Sequence, residues 1–337
     1  MFSEGSLAQR QVEGNAGEAA RRGRVGGVLI RVGIAVLMTA LALVASEWGL
    51  RYHYRGVGSS GHDGDYFSKR PEVRRNSLGF REREIPPKTP DQYRIVVVGD
   101  SFTFGQGLDE RDRLSNVLAT HLGPRYEVFN FGRRGANLDD HLAILDRALS
   151  VSPDFVLLQL FTNDFELSEA RRPRHYPLLP AAADRTMGRS SLTYLLVRRG
   201  WIRLQEVVGL ADSYAGYLER RLRDPASRDS VKTSALLRRL FRMARAAGAG
   251  VGVVMFPATD TFGPGGSGYP YGYLHERVRL ICRDQGVGCV DLFSALSRVP
   301  DPRIWWVSAV DAHPSAAANR RAAGEVVAAF ASEWGGR

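Results

Sequence analysis

RIVVVGDSFTFG, residues 94–105, runs four β-branched residues, Ile95 to Val98, straight into Gly99, Asp100 and Ser101. An apolar run without alternation, ended by glycine, is the pattern of a strand buried on both faces, as in a parallel sheet covered by helices. The pattern recurs along the chain. YEVFNFG (126–132), DFVLLQL (154–160), VGVVMF (251–256) and CVDLF (289–293) read as four further strands. Between and after them, helical spacing covers Asp112–Leu122, Leu138–Leu149, Val231–Ala247, Tyr273–Asp284 and Ala316–Phe330. Strand alternating with helix in this way predicts an α/β domain with a mainly parallel five-stranded sheet and helices on both faces. In such sheets the ligand site lies beyond the carboxyl ends of the strands.

The chain has 337 residues, 44% hydrophobic and 24% charged, with 46 Lys and Arg against 36 Asp and Glu. That composition excludes a wholly disordered chain. The net charge of +10 rests on arginine, because only Lys69, Lys88 and Lys232 are lysines. No basic run is interleaved with aromatics, so nucleic acid is not an expected partner. Two cysteines cannot build a disulfide scaffold or a four-cysteine zinc site. Cys282 and Cys289 are either a disulfide pair or two half-buried thiols. Neither H-E-x-x-H nor a carboxylate cluster with ligand spacing occurs, and the first strand ends in Gly-Asp-Ser rather than G-x-G-x-x-G, so neither a metal nor a nicotinamide cofactor is expected.

Residues 1–24 read as a polar tail and 25–46 as an apolar helix. The 22 residues from Val25 to Ser46 would rise about 33 Å, enough for a bilayer core of about 30 Å if Arg31 snorkels to the interface. Trp48, Tyr52 and Tyr54 follow, as an interfacial aromatic belt would. Arg10, Arg21, Arg22, Arg24 and Arg31 precede or open the span, so the positive-inside rule predicts a cytoplasmic N-terminus and an extracytoplasmic, or periplasmic, remainder held at the inner (cytoplasmic) membrane. The alternatives are a cleaved signal peptide, which would yield a secreted form, and a core helix. Residues 47–85 read as a juxtamembrane connector, and 86–337 as the α/β domain with an insert over 165–230. The insert carries 12 arginines against 8 acidic residues and is expected to cover the pocket. Its helical piece, 191–208, either lies on a membrane surface or packs on its own domain. GPGGSG (263–268) lacks the ending of a phosphate cradle and reads as a flexible loop.

The loops at the strand ends supply complementary chemistry. Ser101 stands where a hydroxyl meets free helix N–H groups, but a serine needs a base within reach. Of seven histidines, His53 and His62 lie in the connector, His121, His141 and His275 on expected helices, and His175 in the insert. His313 stands in a loop before the last helix, with Asp311 two residues back, so one ring nitrogen can face a carboxylate and the other a serine. Gly132 and Gly135 permit close backbone approach after the second strand, and Asn163 offers an amide donor after the third. Taken singly, Ser101 and Ser315 are ordinary helix caps, Gly135 a turn, and Asn163-Asp164 a helix start.

Together these blocks resemble the SGNH (GDSL-type) hydrolase and esterase family, at Gly99-Asp100-Ser101-Phe102, at the glycine of Asn130–Gly135, at Asn163-Asp164 and at Asp311-Ala312-His313. NSLGFRERE (76–84) is similar to the lead-in of membrane-anchored extracytoplasmic members. The resemblance implies a three-layer α/β/α sandwich of the SGNH/flavodoxin-like kind. It further implies Ser101 as nucleophile, His313 as base and Asp311 as its holder, with an oxyanion hole from the N–H groups of Ser101 and Gly135 and the side chain of Asn163. The substrate would be an O-acyl ester, acetyl esters of cell-surface carbohydrate being the first expectation. An O-acyltransferase using the same site and a non-catalytic glycan-binding protein are the alternatives. One departure stands out: the family usually has glycine two residues before the asparagine, and here that residue is Phe161.

Overall fold

The computed structural model describes residues 31–53, 73–168, 175–308 and 310–335. Five strands, β1 (Tyr93–Gly99), β2 (Tyr126–Gly132), β3 (Phe155–Leu160), β4 (Gly250–Met255) and β5 (Gly288–Asp291), form one sheet in the order β2-β1-β3-β4-β5. Every neighbouring pair is parallel. The expected fold class is correct, and each expected strand agrees with its observed counterpart within a residue or two. The chain leaves β1 for β2 on one side and then crosses to β3 on the other. The carboxyl end of β1 is therefore the topological switch, where α/β sheets open a crevice.

Side chains alternate across β1 and divide the core. Val96 and Val98 face one layer, with Leu145, Leu240 and Phe241. Ile95 and Val97 face the other, with Leu118, Val326 and Phe330. The first layer is built from helices α4 (Leu138–Leu149), α8 (Arg228–Ala246) and α9 (Gly272–Asp284). The second is built from α3 (Leu114–Leu122) and α11 (Ala316–Gly335). Both faces of the sheet are thus dry, the physical reason its strands read as unbroken apolar runs.

Before the sheet, α1 (Arg31–His53) is an apolar helix of 23 residues, long enough to cross a membrane. The expected span begins at Val25, and its first six residues lie outside those described; at the other end the helix continues past Ser46. Its side chains from Val32 to Val44 are exposed, as they would be to lipid. Part of the stretch expected to be connector packs into the domain: Asn76, Phe80, Arg81 and Glu82 are all buried.

The insert folds into three helices, α5 (Ala181–Ser190), α6 (Leu192–Val207) and α7 (Tyr214–Leu222). Tyr217, Leu218 and Leu222 of α7 join the first core layer. Within the GPGGSG loop Gly266 is buried beside Ser297, the Gly263 N–H donates to the Ser267 carbonyl and the Gly263 carbonyl accepts from the Gly266 N–H. After β5 come a short α10 (Phe293–Ser297) and an antiparallel ribbon, β6 (Trp306–Ser308) with β7 (Asp311–Pro314). His313 therefore lies on a strand, not in the loop expected. A four-residue strand containing Asp311 and Pro314 has no periodicity to read, and pairing to β6 creates it. Cys282 and Cys289 are free thiols in hydrogen-bond contact, which together with burial pushes the Cys282 thiol up.

Candidate active site

Ser101 opens a single helical turn, α2 (Ser101–Phe104), directly after β1. Asp100 caps it, its Oδ1 accepting from the Phe102 N–H at 2.9 Å. The turn sits so close to the sheet that only glycine fits beneath it. Gly99 and Gly132 are partners across β1 and β2. A Cβ at Gly132 would stand 2.1 Å from the Phe104 nitrogen, and one at Gly99 would stand 2.3 Å from Thr103 Oγ1.

Polar side chains then fix the turn from below and from the side. Gln159 Oε1, on β3, accepts from the Thr103 N–H at 3.1 Å and the Thr103 hydroxyl at 2.8 Å. Asn130 Nδ2, on β2, donates to the Thr103 carbonyl. The Arg81 guanidinium donates to Gly105 O at 2.6 Å and Leu108 O at 2.7 Å. Sequence reasoning missed Arg81, Asn130 and Gln159. For Asn130 and Gln159 the available signal was an amide set among the apolar residues of a buried strand, since buried polar groups are there to be hydrogen-bonded.

Across the switch point, His313 Nε2 lies 2.9 Å from Ser101 Oγ, although 212 residues separate them in the chain. Its Nδ1 faces Asp311 Oδ1, which also accepts the His313 backbone N–H at 3.1 Å. An ionised carboxylate only accepts, so Nδ1 carries the proton and Nε2 is left to accept from the serine hydroxyl. Burial alone would lower the His313 pKa. The hydrogen bond and charge of Asp311, with the charges of Asp100 and Asp260, outweigh it and hold the imidazole above its ordinary value. Burial likewise opposes ionisation of Asp311, and the contacts with His313 overcome it, keeping the carboxyl below the usual range.

Asp100 Oδ2 links this pair to the next strand end. It lies 3.3 Å from Ser101 Oγ and accepts from Asn163 Nδ2 at 3.1 Å. Burial raises the Asp100 pKa despite these donors. One of the two Asn163 amide protons is thereby used; Asn163 Oδ1 is buried without a hydrogen-bond partner among the described residues. Gly135 has φ +73 and, with Asn163, Asn137, Glu166 and Ser168, borders a predominantly polar cleft of about 170 Å³. The structure thus brings Ser101, His313 and Asp311 into direct hydrogen bonding, joins Asn163 to them through Asp100, and sets Gly135 on the cleft Asn163 shares.

Phe161 stacks on Phe102 at 4.2 Å between ring centroids, and Phe102 in turn meets the His313 ring at 5.4 Å. Phe161 therefore packs behind the ring that meets the imidazole. Beneath it, buried Asp164 accepts the Phe161 N–H at 2.6 Å and lies 3.3 Å from His141. Burial, with the Asp100 charge, raises the Asp164 pKa well above its ordinary value, and burial, with the Arg133 charge, lowers His141 to about 3, so that imidazole is neutral near pH 7.

The other histidines stand apart from the site. His275 is bracketed by the Tyr269 hydroxyl and Asp291, each at 2.8 Å. His121 bonds the carbonyl of Val117 on its own helix, His175 meets Glu206, and His53 ends α1. His62 lies outside the described residues. Among those residues no three potential metal ligands come together. Ser315 does cap the last helix, accepting the Ala318 N–H at 3.2 Å.

A strand-end serine in a glycine-cradled turn thus faces a histidine–aspartate pair, groups whose chemistry suits acyl transfer. The chain belongs to the GDSL-like Lipase/Acylhydrolase family, which it matches over residues 97–321. No curated protein matches it. Among solved structures it is similar to the lipase/acylhydrolase from Enterococcus faecalis, at 12% identity and a TM-score of 0.44, covering 72% of this chain and 97% of that one. A carbohydrate acetylesterase family member from Sinorhizobium meliloti matches at 17% identity and a TM-score of 0.40, covering 73% and 100%. A lipolytic protein of the G-D-S-L family from Veillonella parvula matches at 14% and 0.44, covering 71% and 98%.

Proposed function

We propose that the protein is a membrane-anchored serine esterase that hydrolyses O-acyl esters, acetyl esters of carbohydrate foremost. The observation that carries this reading is the 2.9 Å contact between His313 Nε2 and Ser101 Oγ, with Asp311 behind the other ring nitrogen. Ser101 Oγ attacks the acyl carbonyl while its proton passes to His313 Nε2. Asp311 holds the ring and offsets its new positive charge. The carbonyl oxygen becomes an oxyanion facing the N–H groups of Ser101 and Gly135 and the remaining Asn163 N–H. As the tetrahedral carbon collapses, His313 returns the proton to the leaving alkoxide, and an alcohol departs. Water then attacks the acyl-enzyme with His313 again as base, releasing the acid and restoring Ser101.

A carbohydrate substrate is favoured by the polar cleft beside Gly135 and Asn163, where the Glu166 carboxylate and the Ser168 hydroxyl can meet sugar hydroxyls. The same cleft suits a sugar acceptor, which would make the enzyme an O-acyltransferase. In the proposed organisation, residues 1–24 lie in the cytoplasm, 25–46 cross the inner membrane, 47–85 lead away from it, and 86–337 act outside. Hydrolysis of p-nitrophenyl acetate by the full chain in detergent, beside Ser101→Ala, tests the chemistry. The wild type is expected to turn over and the variant to lose all but background. Equal rates would remove Ser101 as nucleophile, and acetyl transfer to an oligosaccharide outrunning hydrolysis would establish the transferase. A periplasm-active reporter fused after Arg55 tests the orientation: it should be active, and silence would reverse the topology.

A further inference from the structure

We infer that α6 is an interfacial helix, latched by Glu47 to the exit point of the membrane helix and seated with its apolar stripe against the bilayer surface. Glu47 lies near the end of α1, beyond its apolar run. Its carboxylate accepts from the Ser191 hydroxyl at 3.0 Å, the Leu192 N–H at 3.0 Å and the Thr193 N–H at 2.9 Å. A side chain 144 residues away in sequence thus occupies the place of a capping carboxylate at the N-terminus of α6. Arg51, one turn further along α1, binds Glu47 and donates to the Ser190 carbonyl at 2.9 Å, closing the other side. The start of α6 is therefore held at the level where α1 leaves the lipid.

From there α6 presents a stripe that its own domain leaves uncovered. Val197, Leu204 and Val208 share one face at helical spacing, with the half-buried Trp201 between them. Val197 is 54% exposed, Leu204 51% and Val208 56%, and Val207 beside them is 79% exposed. Exposed Arg203 flanks the stripe on one side, and exposed Arg198, which pairs with Asp184 at 2.9 Å, on the other. An apolar stripe between arginines is the composition of a helix lying in the headgroup region, its aliphatic face in the acyl boundary and its guanidinium groups among phosphates. Continuity with α1 commits the occupant to that same bilayer rather than to a protein partner.

The seat also reaches the site. Arg199, on the same helix, donates to the Val310 carbonyl at 3.2 Å and lies 5.9 Å from the Trp306 ring centroid. Both belong to the ribbon that carries Asp311 and His313. A helix with its side chains is only about 10–12 Å across. The ribbon is therefore held close to the headgroups, within reach of esters presented at the membrane surface.

The test uses the full chain in nanodiscs of phosphatidylcholine and phosphatidylglycerol, with a Cys289→Ala background and nitroxide labels at Leu204→Cys or Val208→Cys. Leu37→Cys supplies a lipid reference and Arg242→Cys an aqueous one. Collision with oxygen against a nickel chelate should place the α6 labels roughly 5–10 Å below the phosphates. Adding Glu47→Ala should return them toward water while the Leu37 label stays in lipid. Labels at both α6 positions as water-exposed as Arg242 would overturn the proposal. Shielding from both probes alike would assign the stripe to a protein partner or a second copy, and unchanged depth in Glu47→Ala would overturn the latch. None of these readouts depends on esterase activity.

Discussion

Gly132→Ala adds one methyl group, yet it should disable the enzyme. The new Cβ would stand 2.1 Å from the Phe104 nitrogen and 2.6 Å from the Thr103 carbonyl carbon. Ordinary contact begins at 3.4 Å, so the backbone must give by about 1.3 Å, and both clashing atoms are main chain. Two bodies can move. β2 is an edge strand, but seven register pairs tie it to β1. α2 is held by Arg81, Gln159 and Asn130. If they share the displacement, Ser101 Oγ shifts by roughly 0.6 Å, against a hydrogen bond to His313 of 2.9 Å. A misplacement approaching 1 Å costs on the order of 100-fold, so kcat/KM should fall by about 10- to 100-fold, mostly in kcat. Overpacking should also lower stability by about 1–3 kcal/mol. Steady-state kinetics on p-nitrophenyl acetate, labelling by a serine-reactive phosphonate and thermal denaturation read these effects together. A folded Gly132→Ala protein with kcat within twofold of wild type would show that the turn carrying Ser101 does not depend on the glycine beneath it.

Other expectations follow from the same contacts. His313 acts as a base only when neutral, and its pKa is raised, so kcat/KM should fall as pH drops through a value above the ordinary imidazole figure of about 6.5. Asp311→Asn removes the group that holds the proton, so the acid limb should move to lower pH and kcat/KM should fall by about 10⁴-fold; a pH–rate profile with the limb unmoved would remove Asp311 from that role. Phe161→Ala takes away the ring stacked on Phe102, and the butyrate-to-acetate ratio of kcat/KM should rise; an unchanged ratio would mean that Phe161 does not limit the acyl chain. Arg81→Ala leaves the carbonyls of Gly105 and Leu108 without their charged donor, and urea denaturation should show a loss of about 3–5 kcal/mol, whereas a loss below about 1 kcal/mol would mean that solvent replaces it.

The strands and most helices were legible because burial on both faces writes an unbroken apolar run into each strand. α4 starts and ends where its periodicity does, and its N-cap, Asn137, forms a capping box with Asp140. The site residues were legible as chemistry, since Ser101 and Asn163 follow the ends of β1 and β3 and His313 stands two residues after an aspartate, just before the last helix. The β6–β7 ribbon was not legible, because three- and four-residue strands gain their stability from each other and from Trp306, whose Nε1 donates to Thr259 at 3.0 Å. The burial of Asn76, Phe80, Arg81 and Glu82 was hidden for a related reason. A polar segment looks like a connector until the partners of Arg81 and Glu82 are known, and these, the Arg113 guanidinium beside Glu82 apart, are backbone carbonyls and N–H groups.

Local patterning alone determined the α/β class, the apolar N-terminal helix and the identity of the groups available for acyl chemistry, because periodicity and residue type are properties of a short window of chain. Tertiary structure decided that Ser101 and His313 meet, that Phe161 stacks on the Phe102 ring beside the imidazole, and that Glu47 caps a helix in the insert. Those contacts join residues far apart in the chain, and their distances follow from how the layers pack, which no local window contains.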